Sequence, residues 1–249
     1  MSKGKVIVVL SGCQSIALQK KDGRKIDQET GFFMKELAQP LIQIIEAGYT
    51  PVIATPEAQK PQMDPMSNSS IWFLGNWAEK NRELNFVQSL DKELQNPRAL
   101  ASFSDDELGS FAGILIPGGH SPMGDLGSDK ALGHILNYFH KARKPTGVIC
   151  HGPIALLSTT LENGEFAYKG YKVTCYANKE EASNEMMWGA KLETKVEDAL
   201  RNAGAEVEVA TVPLMPNVLR DRELVSGEGP SSAWKFGQEY VKLLEEHAK

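Results

Sequence analysis

The sequence reads PTGVICHGPIA from Pro145 to Ala155. A short apolar run bounded by Pro and Gly is typical of a buried strand, and Pro153 is suited to the first turn of a helix. The order strand, cysteine, helix start predicts a nucleophile elbow with Cys150 in place of serine. The thiol is expected to project from the strand end, near a helix N-terminus whose dipole would lower its pKa.

Strands and helices are predicted to alternate on both sides of this stretch. Short apolar runs predict strands at Lys5–Leu10, Pro51–Thr55, Gly113–Pro117 and Pro145–Cys150. Apolar residues at helical spacing predict helices at Thr30–Ala47, Asp129–Arg143 and Ser231–Glu246. Further strand candidates are Lys172–Tyr176, Glu206–Val212, and a hairpin of Asn217–Leu219 with Leu224–Ser226. This alternation predicts an α/β fold with a mostly parallel sheet, helices on both faces, and a site at the carboxyl ends of the strands.

One long segment does not fit a minimal α/β unit. Residues 57–111 lie between the second and third predicted strands and are rich in Pro, Asn, Asp and Trp. A structureless loop of that length is uncommon in a compact domain. Helices are therefore predicted at Trp72–Leu90 and Asp105–Leu108, within a lid-like insertion that covers the strand ends. The chain is interpreted as a single domain over residues 1–249 that carries this insertion.

Composition narrows the classes of function. The 249 residues carry 27 Lys and Arg against 32 Asp and Glu, a formal charge of −5, so no basic surface is expected to attract nucleic acid or an anionic membrane. No apolar run approaches the roughly 18 residues that a membrane-spanning helix needs, and a cytoplasmic protein is expected. Neither a dinucleotide nor a P-loop fingerprint occurs, and the three cysteines lack metal-site spacing, which predicts no cofactor and no metal.

His151 directly follows the candidate nucleophile. Histidine is the side chain best suited to move a proton near neutral pH, although the ring could instead point into solvent. A base of this kind needs a carboxylate or carbonyl group to orient it. The segment after strand Lys172–Tyr176 offers Glu180, Glu181 and Glu185, and spacing alone does not choose among them.

Two further positions are candidates for the same site. Pro117-Gly118-Gly119-His120 follows the third predicted strand, where two glycines would let backbone N–H groups approach a ligand and form an oxyanion site; a tight turn is the alternative. Glu36 lies at the edge of the apolar stripe of helix Thr30–Ala47. It is either a boundary surface residue or a buried acid with a raised pKa beside the thiol.

These residues together resemble the PfpI-like (DJ-one) superfamily. The resemblance rests on TGFFMKE (30–36), PGGH (117–120), ICHGP (149–153) and LVSGEGPSSA (224–233), and includes Asp64-Pro65-Met66-Ser67 in the insertion. It is closest to the branch that contains the thirty-one-kilodalton heat-shock chaperones and the glutathione-independent glyoxalases (glyoxalase III). Ser121 and Cys175 depart from this branch, where glycine is common at both positions.

The resemblance implies a flavodoxin-like three-layer sandwich with the class I glutamine amidotransferase-like fold, usually a homodimer. It also implies a Cys-His-Glu triad, with Cys150 as nucleophile, His151 as its partner and Glu181 as the third member. Glu36 would be the protonated acid beside the sulfur, and the oxyanion or substrate site would be formed by Gly118, Gly119 and His120.

The activity implied is conversion of methylglyoxal to D-lactate through a hemithioacetal on the cysteine, without metal or glutathione. The partners expected are a small-molecule aldehyde substrate and a second copy of the chain, with no nucleic acid and no membrane. Protein deglycation is a related possibility. The alternatives are a cysteine hydrolase or peptidase of the same fold, and a stress-induced holdase chaperone or thiol redox sensor.

Overall fold

A seven-stranded, mostly parallel sheet forms the centre of the computed structural model, which describes residues 2–248. The strands in this part of the chain are β1 (Gly4–Val9), β2 (Ser15–Lys20), β3 (Lys25–Glu29), β4 (Tyr49–Thr55), β5 (Arg98–Ala99), β6 (Phe111–Ile116), β7 (Thr146–Ile149), β8 (Lys172–Val173), β9 (Ala190–Leu192), β10 (Glu206–Val207), β11 (Val218–Asp221) and β12 (Leu224–Gly227). The sheet order is β11-β12-β7-β6-β1-β4-β5, and only β11 runs antiparallel to its neighbour. The predicted α/β class with a mostly parallel sheet is confirmed.

Helices cover both faces of this sheet and make three layers. They are α1 (Met34–Glu46), α2 (Trp77–Ser89), α3 (Asp91–Gln95), α4 (Asp105–Ser110), α5 (Pro122–Asp125), α6 (Lys130–Lys141), α7 (Asn178–Trp188), α8 (Val196–Ala203) and α9 (Ala233–His247). Helices α1 and α9 pack together, whereas α6 packs against the 3₁₀ helix Gly152–Ser158. The central strand β1 is fully buried from Val6 to Val9, which is why it reads as a continuous apolar run instead of an alternating one.

The main strands and helices lie where the sequence predicts them, with shifted ends. Helix α1 begins at Met34 rather than Thr30, because residues 30–33 form the extended connection whose Phe32 bridges Met63. Gly48, at φ 92°, follows the end of α1 as a left-handed residue should. The elbow continues into a 3₁₀ helix, Gly152–Ser158, and not into a longer α-helix.

Two predictions for the second half of the chain are wrong in extent. The candidates Lys172–Tyr176 and Glu206–Val212 shrink to the two-residue strands β8 and β10, which pair with each other outside the central sheet. The hairpin is confirmed as the antiparallel pair β11 and β12. A second hairpin, β2 with β3, was not predicted. Strand β2 also pairs with β9 in a separate sheet, and the hairpin turn lies within the charged segment Lys20–Lys25.

The segment 57–111 contains helices, as the sequence predicts, but it does more than cover the strand ends. Helices α2 and α4 correspond to the two predicted helices. Strand β5 pairs with β4 and extends the central sheet by one edge strand. The first part, residues 64–73, lies over the carboxyl end of the sheet, and we call it the cover segment. Within residues 2–248, no helix combines the length and the apolar character that a membrane crossing needs.

Candidate active site

Cys150 occupies a strained elbow at the carboxyl end of β7. Its φ of 62° lies in the left-handed region, which costs a non-glycine residue of order 1–3 kcal/mol and persists only where the surroundings enforce it. Two backbone hydrogen bonds, one to β12 and one to the segment after β8, hold Cys150 in this conformation. Cys150 N–H donates to the Gly227 carbonyl (2.9 Å), and its carbonyl accepts from Tyr176 N–H (2.9 Å). These hydrogen bonds hold the strained backbone and thereby fix the direction of the thiol. Cys150 is only 3% exposed.

His151 and Glu181 complete a linear arrangement with this thiol. Cys150 Sγ lies 3.2 Å from His151 Nδ1, and His151 Nε2 lies 2.6 Å from Glu181 Oε2. An ionised carboxylate only accepts hydrogen bonds, so Nε2 carries the proton toward Glu181 and Nδ1 is free to accept from the thiol. The geometry is that of a nucleophile, a base and an orienting acid.

The tertiary structure chooses among the three glutamates that the sequence left open. Helix α7 begins at Asn178, and Glu181 in its first turn points to His151. Glu180 instead accepts a hydrogen bond from Leu214 N–H (2.6 Å). Glu185 forms an ion pair with Lys195 (3.1 Å). Only Glu181 of the three contacts the site.

His120 is hydrogen-bonded to the second carboxylate oxygen of Glu181. Its Nε2 lies 2.9 Å from Glu181 Oε1, and its ring centroid is 3.9 Å from that of His151. Asn184 Nδ2 also donates to Glu181 Oε1 (3.1 Å). Burial would raise the pKa of Glu181, but the two histidines lower it well below its usual range. Burial and the neighbouring His120 lower the pKa of His151 to about 4, so the resting base is neutral beside an ionised carboxylate.

Glu36 is a buried acid and not a boundary surface residue. It is fully buried in α1, and neither carboxyl oxygen has a hydrogen-bond partner of normal geometry in residues 2–248. Its nearest polar neighbours are the Cys150 thiol and the backbone of Gly118 and Gly119. Burial raises the pKa of Glu36 to about 8, because an unpaired carboxylate in an apolar interior is strongly disfavoured. The carboxyl is thus protonated near pH 7.

The expected lowering of the Cys150 pKa is wrong. Burial raises the pKa of the thiol well above its ordinary value, and Glu36 raises it further, whereas the Gly119 N–H lowers it. The 3₁₀ helix after the elbow is short, and its dipole does not offset this desolvation. The resting Cys150 side chain is therefore a thiol and not a thiolate.

The glycines at 118 and 119 are required by close packing at this point. A side chain at Gly118 would lie 2.6 Å from both Cys150 Cβ and Glu36 Oε2, and Gly119 has φ 90° with the Gly31 carbonyl 2.0 Å from where its Cβ would be. The turn thereby brings the Gly119 N–H to the sulfur. The PGGH motif is therefore a tight turn that brings an amide to the sulfur, and an oxyanion site formed by it stays a prediction.

A small pocket opens above the thiol. Besides the residues already described, its walls are Phe33, Asp64, Met66, Trp72, Tyr176 and Pro230. Asp64 is buried and accepts hydrogen bonds from Thr30 Oγ1 (2.8 Å) and Met66 N–H (2.8 Å), which fastens the cover segment beside the site. The sequence singled out Asp64 only through the family motif. It did not indicate that Trp72, Tyr176 or Asn184 belongs to the site, because single aromatic and amide residues carry no spacing signal.

Three of the site residues also have the chemistry of metal ligands. The ligand atoms of His120, His151 and Glu181 lie within 4.8 Å of one another. In the described chain both imidazoles are hydrogen-bonded to Glu181, so a cation would have to displace the two protons that hold the triad together.

Glu36 provides a test of this electrostatic description. In Glu36→Gln, the free energy of unfolding relative to wild type is expected to rise by about 1 kcal/mol per pH unit between pH 5 and 8. The reason is that Glu36 releases its proton near the ordinary glutamate pKa of 4.5 when unfolded but near 8 when folded, so wild type alone loses stability as pH increases. Urea unfolding of both proteins at several pH values measures this slope. A difference that stays constant with pH would contradict a raised pKa.

Solved structures share this fold over nearly the whole chain. Glyoxalase III (Orf 19.251) from Candida albicans superimposes with a TM-score of 0.76 at 20% identity, covering 97% of each chain. The Rapid Encystment Protein 24 KDa of Francisella tularensis superimposes with a TM-score of 0.81 at 21% identity, covering 97% of this chain and 99% of that one. Both show a protein of the same α/β class.

Sequence comparison identifies the family. The model of the DJ-1/PfpI family matches residues 91–243, and the chain belongs to that family. The resemblance predicted from the motifs is thereby confirmed. Among curated relatives, the "Protein/nucleic acid deglycase HchA" of Staphylococcus aureus (strain MSSA476) is 24% identical over 215 residues, covering 84% of this chain and 70% of the relative.

Proposed function

We propose that this protein is a glutathione-independent glyoxalase of the glyoxalase III type, a cofactor-independent lyase that converts methylglyoxal to D-lactate. The observation that carries the proposal is the alignment of Cys150, His151 and Glu181 beneath a small pocket, with the protonated Glu36 on the other side of the sulfur. The names of two similar proteins, glyoxalase III and a deglycase, support aldehyde chemistry.

The first step is attack of the Cys150 sulfur on the aldehyde carbon. A C–S bond forms, the thiol proton passes to His151 Nδ1, and the aldehyde oxygen receives a proton to give the hemithioacetal. The Gly119 N–H lies beside the sulfur, where it can stabilise charge that develops on that oxygen. Glu36, protonated near pH 7, is the acid available to an oxygen at this position.

The second step moves a hydrogen between the two former carbonyl carbons. His151 passes the thiol proton on to the former aldehyde oxygen and is neutral again; it then removes the proton from the carbon bonded to sulfur while Glu36 protonates the ketone oxygen, and an enediol forms. His151 returns its proton to the neighbouring carbon, and the hydroxyl on the sulfur-bound carbon gives its proton back to Glu36. The product is the lactoyl thioester, in which one carbon has been oxidised and the other reduced. Glu181 stabilises the imidazolium that forms each time His151 gains a proton. Water then cleaves the thioester, which releases lactate and restores the thiol.

His120 is assigned to substrate binding. It lines the pocket, and it is held by Glu181 and by the ring of Trp188 at a centroid distance of 5.0 Å. From this position its ring can contact the second carbonyl group of a dicarbonyl bound at Cys150. Gly118 and Gly119 supply the other wall of the same subsite.

Purified protein is expected to form D-lactate from methylglyoxal without glutathione and in the presence of a metal chelator. The proposed chemistry is an internal redox change that uses only side chains of this chain. Stereospecific enzymatic determination of D-lactate and L-lactate measures the product. Absence of lactate, with Cys150 shown by mass spectrometry to be reduced, would contradict the proposal.

Deglycation of protein-bound or nucleic-acid-bound adducts is the second candidate, favoured by the name of the HchA relatives. Cys150 would form the same C–S bond, but at a carbon that already carries the adduct's nitrogen, so the C–N bond breaks and the amine or guanidine leaves with a proton. Release of lactate from a methylglyoxal adduct of N-acetylarginine, measured after all free methylglyoxal has been trapped, distinguishes it from the first candidate.

A further inference from the structure

We infer that the indole of Trp72 limits the size of the aldehyde that reaches Cys150, so that the site takes free, uncharged 2-oxoaldehydes of about three carbons. Aldehydes that carry an aromatic ring or a polypeptide would be excluded. This inference rests on the proposed function and names its substrate class.

The space above the thiol is small. Trp72 and Cys150 line one cavity, whose volume is about 30 Å³. That is room for about two water molecules. Its walls near the thiol are Phe33, Trp72 and Tyr176, and Phe33 and Tyr176 are themselves buried. A compact substrate comes close to this volume, whereas a phenyl group would have to displace a wall.

Trp72 is the wall that belongs to the cover segment, and three contacts hold it in place. Its ring packs edge-on against Phe33, with centroids 5.2 Å apart at 85°. Its Nε1–H donates to the Met66 carbonyl (3.1 Å), and its own carbonyl accepts from Lys35 Nζ (3.1 Å). The ring, its polar atom and its backbone are therefore all restrained, and the indole is not free to swing aside.

The surroundings of Trp72 also fix which way it points. It lies in the 3₁₀ helix Ser70–Phe73. Ile71, just before Trp72, is 71% exposed, and Leu74, just after the helix, is 96% exposed. Lys35, which holds the backbone of Trp72, pairs in turn with Glu79 of α2 (3.0 Å), and both partners are largely shielded from solvent. The segment thus places Trp72 in the pocket wall and Phe73 in the core, and leaves Ile71 and Leu74 exposed.

Charge at the pocket favours an uncharged substrate. Of the residues that line it in the described chain, Asp64 is a carboxylic acid and none is lysine or arginine. A carboxylate or phosphate on the substrate would enter a confined space that offers no cation to pair with it, which is costly. Glyoxal and methylglyoxal satisfy both the size and the charge condition.

The test compares two uncharged aldehydes of different size. Wild type, Trp72→Ala and Trp72→Phe are assayed with methylglyoxal (lactate formation) and with phenylglyoxal (mandelate formation). In Trp72→Ala the ratio of kcat/KM for phenylglyoxal to that for methylglyoxal is expected to rise about tenfold or more, with Trp72→Phe between it and wild type. Trp77→Ala is the matched control, because Trp77 lies in the same insertion, is 60% exposed and does not line the pocket. An unchanged ratio in Trp72→Ala would overturn the inference.

A second measurement does not depend on turnover. Cys150 is alkylated with iodoacetamide and with N-benzyl iodoacetamide, and the modified peptides are quantified by mass spectrometry, with partly exposed Cys13 as an internal reference. Trp72→Ala is expected to accelerate only the reaction of the bulky reagent at Cys150, about tenfold or more. If wild type turns over neither aldehyde, the proposed function fails, and this alkylation ratio still decides whether Trp72 limits access. Equal acceleration of both reagents would count against a size limit.

Discussion

Replacing Cys150 with serine is expected to lower kcat/KM for lactate formation from methylglyoxal by at least about a thousandfold. A hydroxyl group gives up its proton far less readily than a thiol, and neutral His151, with its pKa lowered to about 4, is too weak a base to activate it. Serine keeps the size and the hydrogen-bonding capacity of the side chain, so the elbow should form. Initial rates of D-lactate formation at equal protein concentration measure the effect.

Cys13→Ser is the control for this substitution. Cys13 is a free cysteine outside the pocket, and its replacement is expected to leave the rate within about twofold of wild type. Lactate formation that survives in Cys150→Ser but is lost in Cys13→Ser would refute the assignment of the nucleophile. Circular dichroism and thermal unfolding of each variant show whether a lost rate reflects lost structure.

Replacing Glu181 with glutamine is expected to lower kcat by about a hundredfold to ten-thousandfold, with a smaller change in KM. The carboxylate of Glu181 accepts from three side chains and stabilises the imidazolium of His151 during proton transfer. A neutral amide cannot accept all three hydrogen bonds or compensate the charge. It also allows the His151 tautomer in which Nδ1 carries the proton, and that nitrogen can then no longer accept from the thiol. Steady-state kinetics with methylglyoxal separate the effects on kcat and KM.

Glu185→Gln is the matched control on the same helix. Glu185 is also a buried glutamate of α7, but its side chain pairs with Lys195 and accepts from Leu192 N–H, whereas that of Glu181 pairs with His151. Its replacement is expected to leave kcat within about threefold of wild type. A larger loss in Glu185→Gln than in Glu181→Gln would show that the orienting acid has been assigned wrongly.

The local part of the site was predictable from the sequence. The elbow at Cys150, the neighbouring histidine and the glycine turn before His120 are each written in a few consecutive residues, since each depends on backbone conformation that particular residue types favour or require. The order of strands and helices followed from apolar periodicity in the same way. The hairpin of residues 15–29 was not predicted: only Ile16 and Leu18 of β2 are buried in it, and they pack under β9, which is distant in the sequence.

Sequence motifs could not predict which residues of remote segments lie close together. Spacing could not choose Glu181 over Glu180 and Glu185, because that choice depends on how α7 is rotated against the elbow. Nor could it tell whether Glu36 is buried, and the thiol pKa was predicted with the wrong sign because desolvation depends on everything packed around Cys150.

The sequence by itself therefore determined the α/β class, the cysteine elbow and the set of residues that compete for the site, all of which follow from short-range patterns. The family resemblance implied Glu181 and Glu36, but only the tertiary structure brings Glu181 to His151, buries Glu36 beside the sulfur and sets Trp72 in the wall of the pocket that Cys150 lines. The physical reason is that charge, proton affinity and cavity size are set by burial and by contacts between segments that are far apart in the chain.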